Sequence, residues 1–163
     1  MELKKHLDLR YLFVGLYVFL FGVYIMIGLQ PAGATNYDVS TNLAIPSIGL
    51  ESDVTELAVR DGRLDTPDTI VGSFTRSDNK TLLIGHSTGV FEHLDSLQDG
   101  DAIEYDGRHY YTIRREVLEK SNISMTQLLK SEANDTLILM TCAGKLLDGG
   151  DATHRLIITA VRY

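Results

Sequence analysis

The chain has 163 residues, a formal net charge of −7 and a single cysteine. This length suits one domain with its own core, and the acidic balance disfavours binding to a nucleic-acid backbone. A lone thiol cannot form an internal disulfide, so the cysteine is either a buried apolar side chain or a reactive group.

The most apolar run lies near the N-terminus. Residues 11–29 (YLFVGLYVFLFGVYIMIGL) carry no charge. At about 1.5 Å per residue they span about 28 Å, close to the thickness of the hydrocarbon core of a bilayer. Lys4, Lys5 and Arg10 precede the run, and no basic residue follows before Arg60. This asymmetry predicts a cytoplasmic N-terminus and an extracellular remainder.

The sequence therefore predicts a single-pass protein of the cell membrane. We expect a cytoplasmic basic tail over residues 1–10, a transmembrane signal-anchor over residues 11–29, a linker over residues 30–41 and an extracellular domain over residues 42–163. The small-residue pattern Ala32-Gly33-Ala34 leaves a cleaved signal peptide open as the alternative.

The first half of the domain is typical of β-structure interrupted by turns. Residues 42–59 contain two short apolar runs, which Pro46 and Gly49 separate. Residues 60–80 are rich in Gly, Asp, Ser and Thr, so we expect them to be mostly loop, long enough to cover a groove. The compact apolar run at residues 81–85 (TLLIG) predicts a buried strand.

The second half continues this pattern. Phe91, Leu94 and Leu97 recur at helical spacing and predict one or two helical turns. Asp106-Gly107, between two strand-like runs, predicts a β-hairpin. A helical turn is expected at residues 124–130, and strands are expected at residues 136–141 and 156–161. Seven or eight short strands with small helical inserts predict an all-β barrel or sandwich.

Three side chains near strand ends are candidates for chemistry. Cys142 follows the predicted strand 136–141, and a catalytic thiol needs a base or a cation nearby, because only a small fraction is thiolate at neutral pH. His86 follows the predicted strand 81–85, and histidine readily exchanges a proton near pH 7. Arg155 begins the last strand with donors suited to an oxyanion. Taken singly, each has a structural explanation, and His154 is the rival of His86.

The motifs around these residues resemble those of the sortase family of cysteine transpeptidases. The run ILMTC, ending at Cys142, resembles the TLxTC signature, with Ile138 in place of the usual Thr. TLLIGHS, which contains His86, resembles the strand of the catalytic histidine, and HRLIITA, which contains Arg155, resembles the strand of the family's arginine. Softer matches in LAIPSIGLESDV and FEHLDSLQDGDAIEYDG extend the resemblance over residues 43–163.

This resemblance implies a closed eight-stranded β-barrel with short helical inserts, after one N-terminal transmembrane helix. It implies that Cys142 attacks the Thr–Gly carbonyl of an LPxTG-like sorting signal and that His86 transfers the protons. Arg155 would stabilise the oxyanion, and Thr141 would help to position the substrate.

The implied partners are protein substrates with a C-terminal sorting motif, the membrane, and an amine acceptor on a cell-wall precursor or a pilin. No nucleic acid is expected. The chemistry requires no metal or organic cofactor, and the resemblance leaves a calcium requirement open. Two alternatives remain: a hydrolytic thiol peptidase of the same fold, and a non-catalytic surface β-domain.

Overall fold

The computed structural model describes residues 39–60, 63–77, 79–131, 133–148 and 151–163. Residues 1–38 lie outside the described residues, and with them the predicted tail, the predicted signal-anchor and most of the predicted linker. No helix within the described ranges is long and apolar enough to cross a membrane.

Ten strands and four short helical segments make up the described part of the chain. The strands are β1 (Val39–Ile45), β2 (Leu50–Glu56), β3 (Val59–Arg60), β4 (Arg63–Leu64), β5 (Val71–Ser77), β6 (Lys80–Ile84), β7 (Ala102–Tyr105), β8 (Arg108–Glu119), β9 (Thr136–Leu146) and β10 (Ala152–Arg162). The helical segments are 3₁₀-helices at Pro46–Ile48, Leu94–Ser96 and Lys120–Asn122, and the α-helix α1 at Met125–Leu128.

Eight of these strands close into a barrel in the order β1-β2-β5-β6-β9-β10-β8-β7, while β3 and β4 form a separate two-stranded sheet. The predicted closed eight-stranded barrel is therefore confirmed. Two pairs are parallel, β2 with β5 and β6 with β9, and the other barrel pairs are antiparallel. The closed order makes β6, β9 and β10, whose sequences carry the three candidate motifs, direct neighbours.

Both faces of the β6-β9-β10 sheet are covered. Leu139 and Ile158 belong to the cluster of buried side chains inside the barrel. Ile138 and Ile157 belong to a second cluster on the outer face, where Leu129, next to α1, packs against them. Strands buried on two faces read as continuous apolar runs rather than as alternating ones, as the runs TLILM and LIIT do.

The prediction of a loop over residues 60–80 is wrong for Val71–Ser77, which forms β5 in the barrel. Gly72 is the main reason that the sequence did not predict this strand. A Cβ atom at this glycine would lie 2.6 Å from the side-chain carbons of Leu57, so close packing there requires a residue that weakens strand propensity. Pairing with β2 and β6 stabilises β5 in spite of its sequence.

Three other local predictions agree with the structure. The hairpin joins β7 to β8 through Asp106 and Gly107, whose positive φ angles of 52° and 67° suit a tight turn between twisted strands. The helical turn at residues 124–130 is α1, where the side chain of Ser124 accepts a hydrogen bond from the backbone N–H of Gln127. Phe91, Leu94 and Leu97 are buried in turns that lead into a 3₁₀-helix.

Candidate active site

Parallel pairing brings His86 next to Cys142. In the ladder between β6 and β9, Ile84 pairs with Met140, and each candidate residue lies two positions beyond one member of that pair. The Thr141 hydroxyl donates a 2.7 Å hydrogen bond to the Gly85 carbonyl and so holds the two chains together just before the candidate residues. Both side chains therefore emerge at the same end of neighbouring strands.

Antiparallel pairing places Arg155 directly opposite Cys142. These two residues are register partners in the ladder between β9 and β10. The side chains of directly opposed residues lie on the same face of a sheet, close enough for interaction. The strand register therefore places the side chains of Arg155 and Cys142 on the same face of the sheet.

The three side chains lie on the outer face of the barrel. Met140 and Ile84 pack with the outer cluster, and side chains two positions apart on a strand share a face. His86, Cys142 and Arg155 line one cavity of about 290 Å³, which we call the thiol cavity. Its remaining wall is largely apolar and is completed by Leu64, Thr66, Ile84, Gly85, Met125, Met140 and Thr141.

Two details of the expected placement are wrong. Cys142 does not end its strand, because β9 continues to Leu146, and Arg155 is the fourth residue of β10 rather than the first. Pairing continues past the thiol through a register shift that includes Gly144, at a φ of 77°. A Cβ atom there would lie 2.6 Å from Nδ1 of His154, so glycine makes this continuation possible.

His86 is the most exposed of the three side chains. Its side chain is 44% exposed, and Nε2 lies 3.8 Å from Oδ1 of Asp68, whose side chain is almost fully exposed. Its backbone carbonyl accepts hydrogen bonds from the N–H groups of Gly89 and Phe91. The rival His154 does not line the thiol cavity, and its Nδ1 lies 2.8 Å from Oγ1 of Thr153.

Arg155 is firmly held, and its side chain is only 14% exposed. Nη1 donates hydrogen bonds of 3.0 and 2.9 Å to the backbone carbonyls of Ala152 and His154, and Nη2 donates one of 2.6 Å to Oδ1 of Asp151. Hydrogen bonds from Lys120, and then from Arg155, hold the pKa of the Asp151 carboxyl well below its usual range.

The sequence does not identify Asp151 as a partner of Arg155. The signal was weak: an acidic residue four positions before an arginine has no special meaning outside a helix.

A second cavity, of about 370 Å³, also borders Cys142. Cys142 and Thr141 line both cavities, and the second one adds Glu92, Asp95 and Arg115 among its polar residues. Cys142 therefore lies between two cavities, an arrangement that suits a nucleophile that must meet two substrates in turn. In the described residues, no group of three or more His, Cys, Asp or Glu side chains is arranged to hold a metal ion.

Comparison with known proteins agrees with this geometry. The family model of the Sortase domain matches residues 43–163. No curated protein matches the chain.

Several solved structures share the fold. Sortase A from Corynebacterium diphtheriae, in a lid mutant, has a TM-score of 0.60 at 20% identity, covering 80% of this chain and 73% of that one. Sortase C-1 from Actinomyces oris has a TM-score of 0.59 at 23% identity, covering 82% of each chain. The Clostridium perfringens Sortase D5 transpeptidase has a TM-score of 0.61 at 21% identity, covering 77% of this chain and 79% of that one.

Proposed function

Because this chain belongs to the sortase family and is a cysteine transpeptidase, we propose that it cleaves an LPxTG-like sorting signal and transfers the acyl part to a cell-surface amine. The observation that carries the proposal is that His86, Cys142 and Arg155 line one cavity on the outer face of the barrel. An extended peptide can reach a nucleophile there, whereas it could not enter the packed interior.

The proposed reaction has two acyl transfers. The Cys142 thiolate attacks the Thr–Gly carbonyl carbon, His86 gives a proton to the departing amine as the C–N bond breaks, and a thioacyl enzyme forms. The acceptor amine then attacks the thioester, and His86 takes a proton from this amine. The C–S bond breaks, which restores the Cys142 thiolate and the protonated His86. Arg155 donates hydrogen bonds to the oxyanion in both steps.

The two cavities suit two substrates. The thiol cavity carries Leu64, Ile84 and Met125, which are suited to the apolar Leu and Pro of the sorting signal. We assign the acceptor to the second cavity, where the carboxylates of Glu92 and Asp95 would attract a protonated amine. Either the amine of a cell-wall precursor or a pilin lysine meets this description.

We further propose that residues 11–29 are retained as a signal-anchor, with residues 1–10 in the cytoplasm and residues 42–163 outside the cell. Mass measurement of the membrane-bound protein tests this proposal. A retained N-terminus agrees with an anchor, whereas a chain that begins just after Ala34 would show that a signal peptide has been removed.

The activity is tested with the full chain in mild detergent. An LPxTG peptide is added with and without triglycine or a lysine peptide, and mass spectrometry follows adducts and products. We expect an adduct on Cys142, amine-dependent product, and loss of both in Cys142→Ala. His86→Ala and Arg155→Ala are expected to lower kcat/KM by about 100-fold or more. Matched controls are His93→Ala and Arg114→Ala, which alter exposed residues that do not line the thiol cavity.

The outcomes separate the alternatives. An adduct that is released only as free acid would identify a hydrolase. An unreactive thiol and no adduct with a panel of related sorting peptides would contradict the proposed reaction and favour a non-catalytic surface domain.

A further inference from the structure

We propose that Asp151 is a positioning residue for the reaction: its carboxylate, together with two backbone carbonyls, clamps the Arg155 guanidinium so that its remaining donors face the thiol cavity. This inference rests on the proposed function, in which Arg155 holds the oxyanion. Asp151 lies just before β10, four residues before the arginine.

The first step of the argument is the number of donors. A guanidinium group carries five N–H bonds: two on each Nη and one on Nε. Both N–H bonds of Nη1 go to the carbonyls of Ala152 and His154, and one from Nη2 goes to Asp151. Among the described residues, the Nε–H and the second Nη2–H have no hydrogen-bond acceptor. Since Arg155 lines the thiol cavity, these are the donors left for a substrate oxygen.

The second step is the rigidity of the clamp. Oδ1 of Asp151 also accepts a 2.8 Å hydrogen bond from the backbone N–H of Ala152, and its Oδ2 accepts one from Lys120. Lys120 belongs to the 3₁₀-helix that follows β8, so the carboxylate bridges two parts of the barrel. Hydrogen bonding from Lys120 and Arg155 lowers the pKa of Asp151, so its carboxylate is charged at neutral pH.

The third step is the consequence for Arg155. An arginine side chain has many rotamers, and an oxyanion donor is effective only when its direction is set before the reaction. The two backbone carbonyls hold only Nη1, so the guanidinium plane could still turn about that nitrogen. The hydrogen bond from Nη2 to the Asp151 carboxylate opposes this turning. Loss of Asp151 should therefore reduce kcat more than it raises KM for the peptide, because the affected contact forms mainly in the transition state.

A double-mutant cycle in the full chain tests the proposal. Asp151→Ala is expected to lower kcat/KM by about tenfold in the wild-type background and by less than about twofold in Arg155→Ala, because it acts through the guanidinium. Asp151→Asn, a milder change, serves if the alanine variant does not fold. The matched control is Asp148→Ala, which removes an exposed acid from the same turn and should leave kcat/KM unchanged. Equal losses in both backgrounds, no loss, or a similar loss in the control would overturn the proposal.

A peptide-free measurement keeps this inference separate from the proposed function. The rate of Cys142 alkylation by iodoacetamide is followed against pH. If Asp151 positions Arg155, Asp151→Ala changes this profile in the same direction as Arg155→Ala, because both variants remove the ordered guanidinium from the wall of the thiol cavity. A change in the opposite direction, or no change, overturns the inference even if no peptide is turned over. Failure of the wild type on every sorting peptide counts against the proposed function only.

Discussion

The hydrogen bond from Thr141 to Gly85 is expected to couple the stability of the barrel to the alignment of its reactive groups. The hydroxyl is buried, with the residue 4% exposed, and its acceptor directly precedes His86. Thr141→Val keeps the shape of the side chain but turns a methyl group towards the Gly85 carbonyl. Leaving a buried polar group without its partner costs about 1–3 kcal/mol, so we expect the free energy of unfolding to fall by about 1–2 kcal/mol.

The same change should reduce activity beyond its effect on folding. The hydrogen bond joins the residues that precede the proposed nucleophile, Cys142, and its proposed proton partner, His86. A misplacement of about 1 Å can cost up to about 100-fold in rate. We therefore expect kcat/KM to fall by about tenfold in Thr141→Val.

Thr141→Ser is the matched control, because it loses a methyl group and keeps the hydroxyl. It should lose about 1 kcal/mol of stability and retain nearly full activity. Urea unfolding and peptide turnover measure the two effects in the full chain. If the valine variant is as stable as the wild type, or if both variants lose activity equally, the coupling is refuted.

Three further predictions concern backbone and charge. Gly85→Ala should cost about 1–3 kcal/mol in urea unfolding, because its Cβ would lie 2.8 Å from a ring carbon of Phe91. Gly144→Ala should cost a similar amount, about 1–3 kcal/mol, since the residue has a positive φ and its Cβ would meet His154. An unchanged free energy of unfolding would contradict the tight packing at this register shift. Burial raises the pKa of Tyr110, so its contribution to stability is complete below about pH 10 and is lost as the pH rises towards the folded-state value. Between pH 8 and pH 11, the free energy of unfolding should therefore fall more steeply in the wild type than in Tyr110→Phe.

The parts of the fold that could be predicted from sequence are those where local pattern and barrel packing agree. The apolar runs of β6, β9 and β10 are buried on both faces, so their composition identified them without knowledge of their partners. β5 was missed because its three leading residues, Val71, Gly72 and Ser73, are buried by partners distant in the chain, and two of them are poor strand formers.

The candidate residues could be named from motifs, but their contacts could not. Nothing in the spacing of His86 and Cys142 shows that a parallel ladder makes them neighbours, because that pairing depends on the closure of the barrel. The clamp on Arg155 was missed for the same reason, since Lys120 reaches Asp151 from a segment 31 residues away.

The three candidate catalytic groups are held to different degrees, and this difference has a consequence for the proposed reaction. A continuous antiparallel ladder fixes Cys142 and Arg155 against each other, and three hydrogen bonds hold the guanidinium. His86 lies beyond the end of β6, and its Nε2 lies 3.8 Å from a carboxylate oxygen of the exposed Asp68. Nucleophilic attack and oxyanion binding need fixed geometry, whereas the proton carrier must serve a departing amine first and an arriving amine afterwards. In the proposed reaction, the most exposed of the three side chains is thus the one that exchanges protons with two different amines.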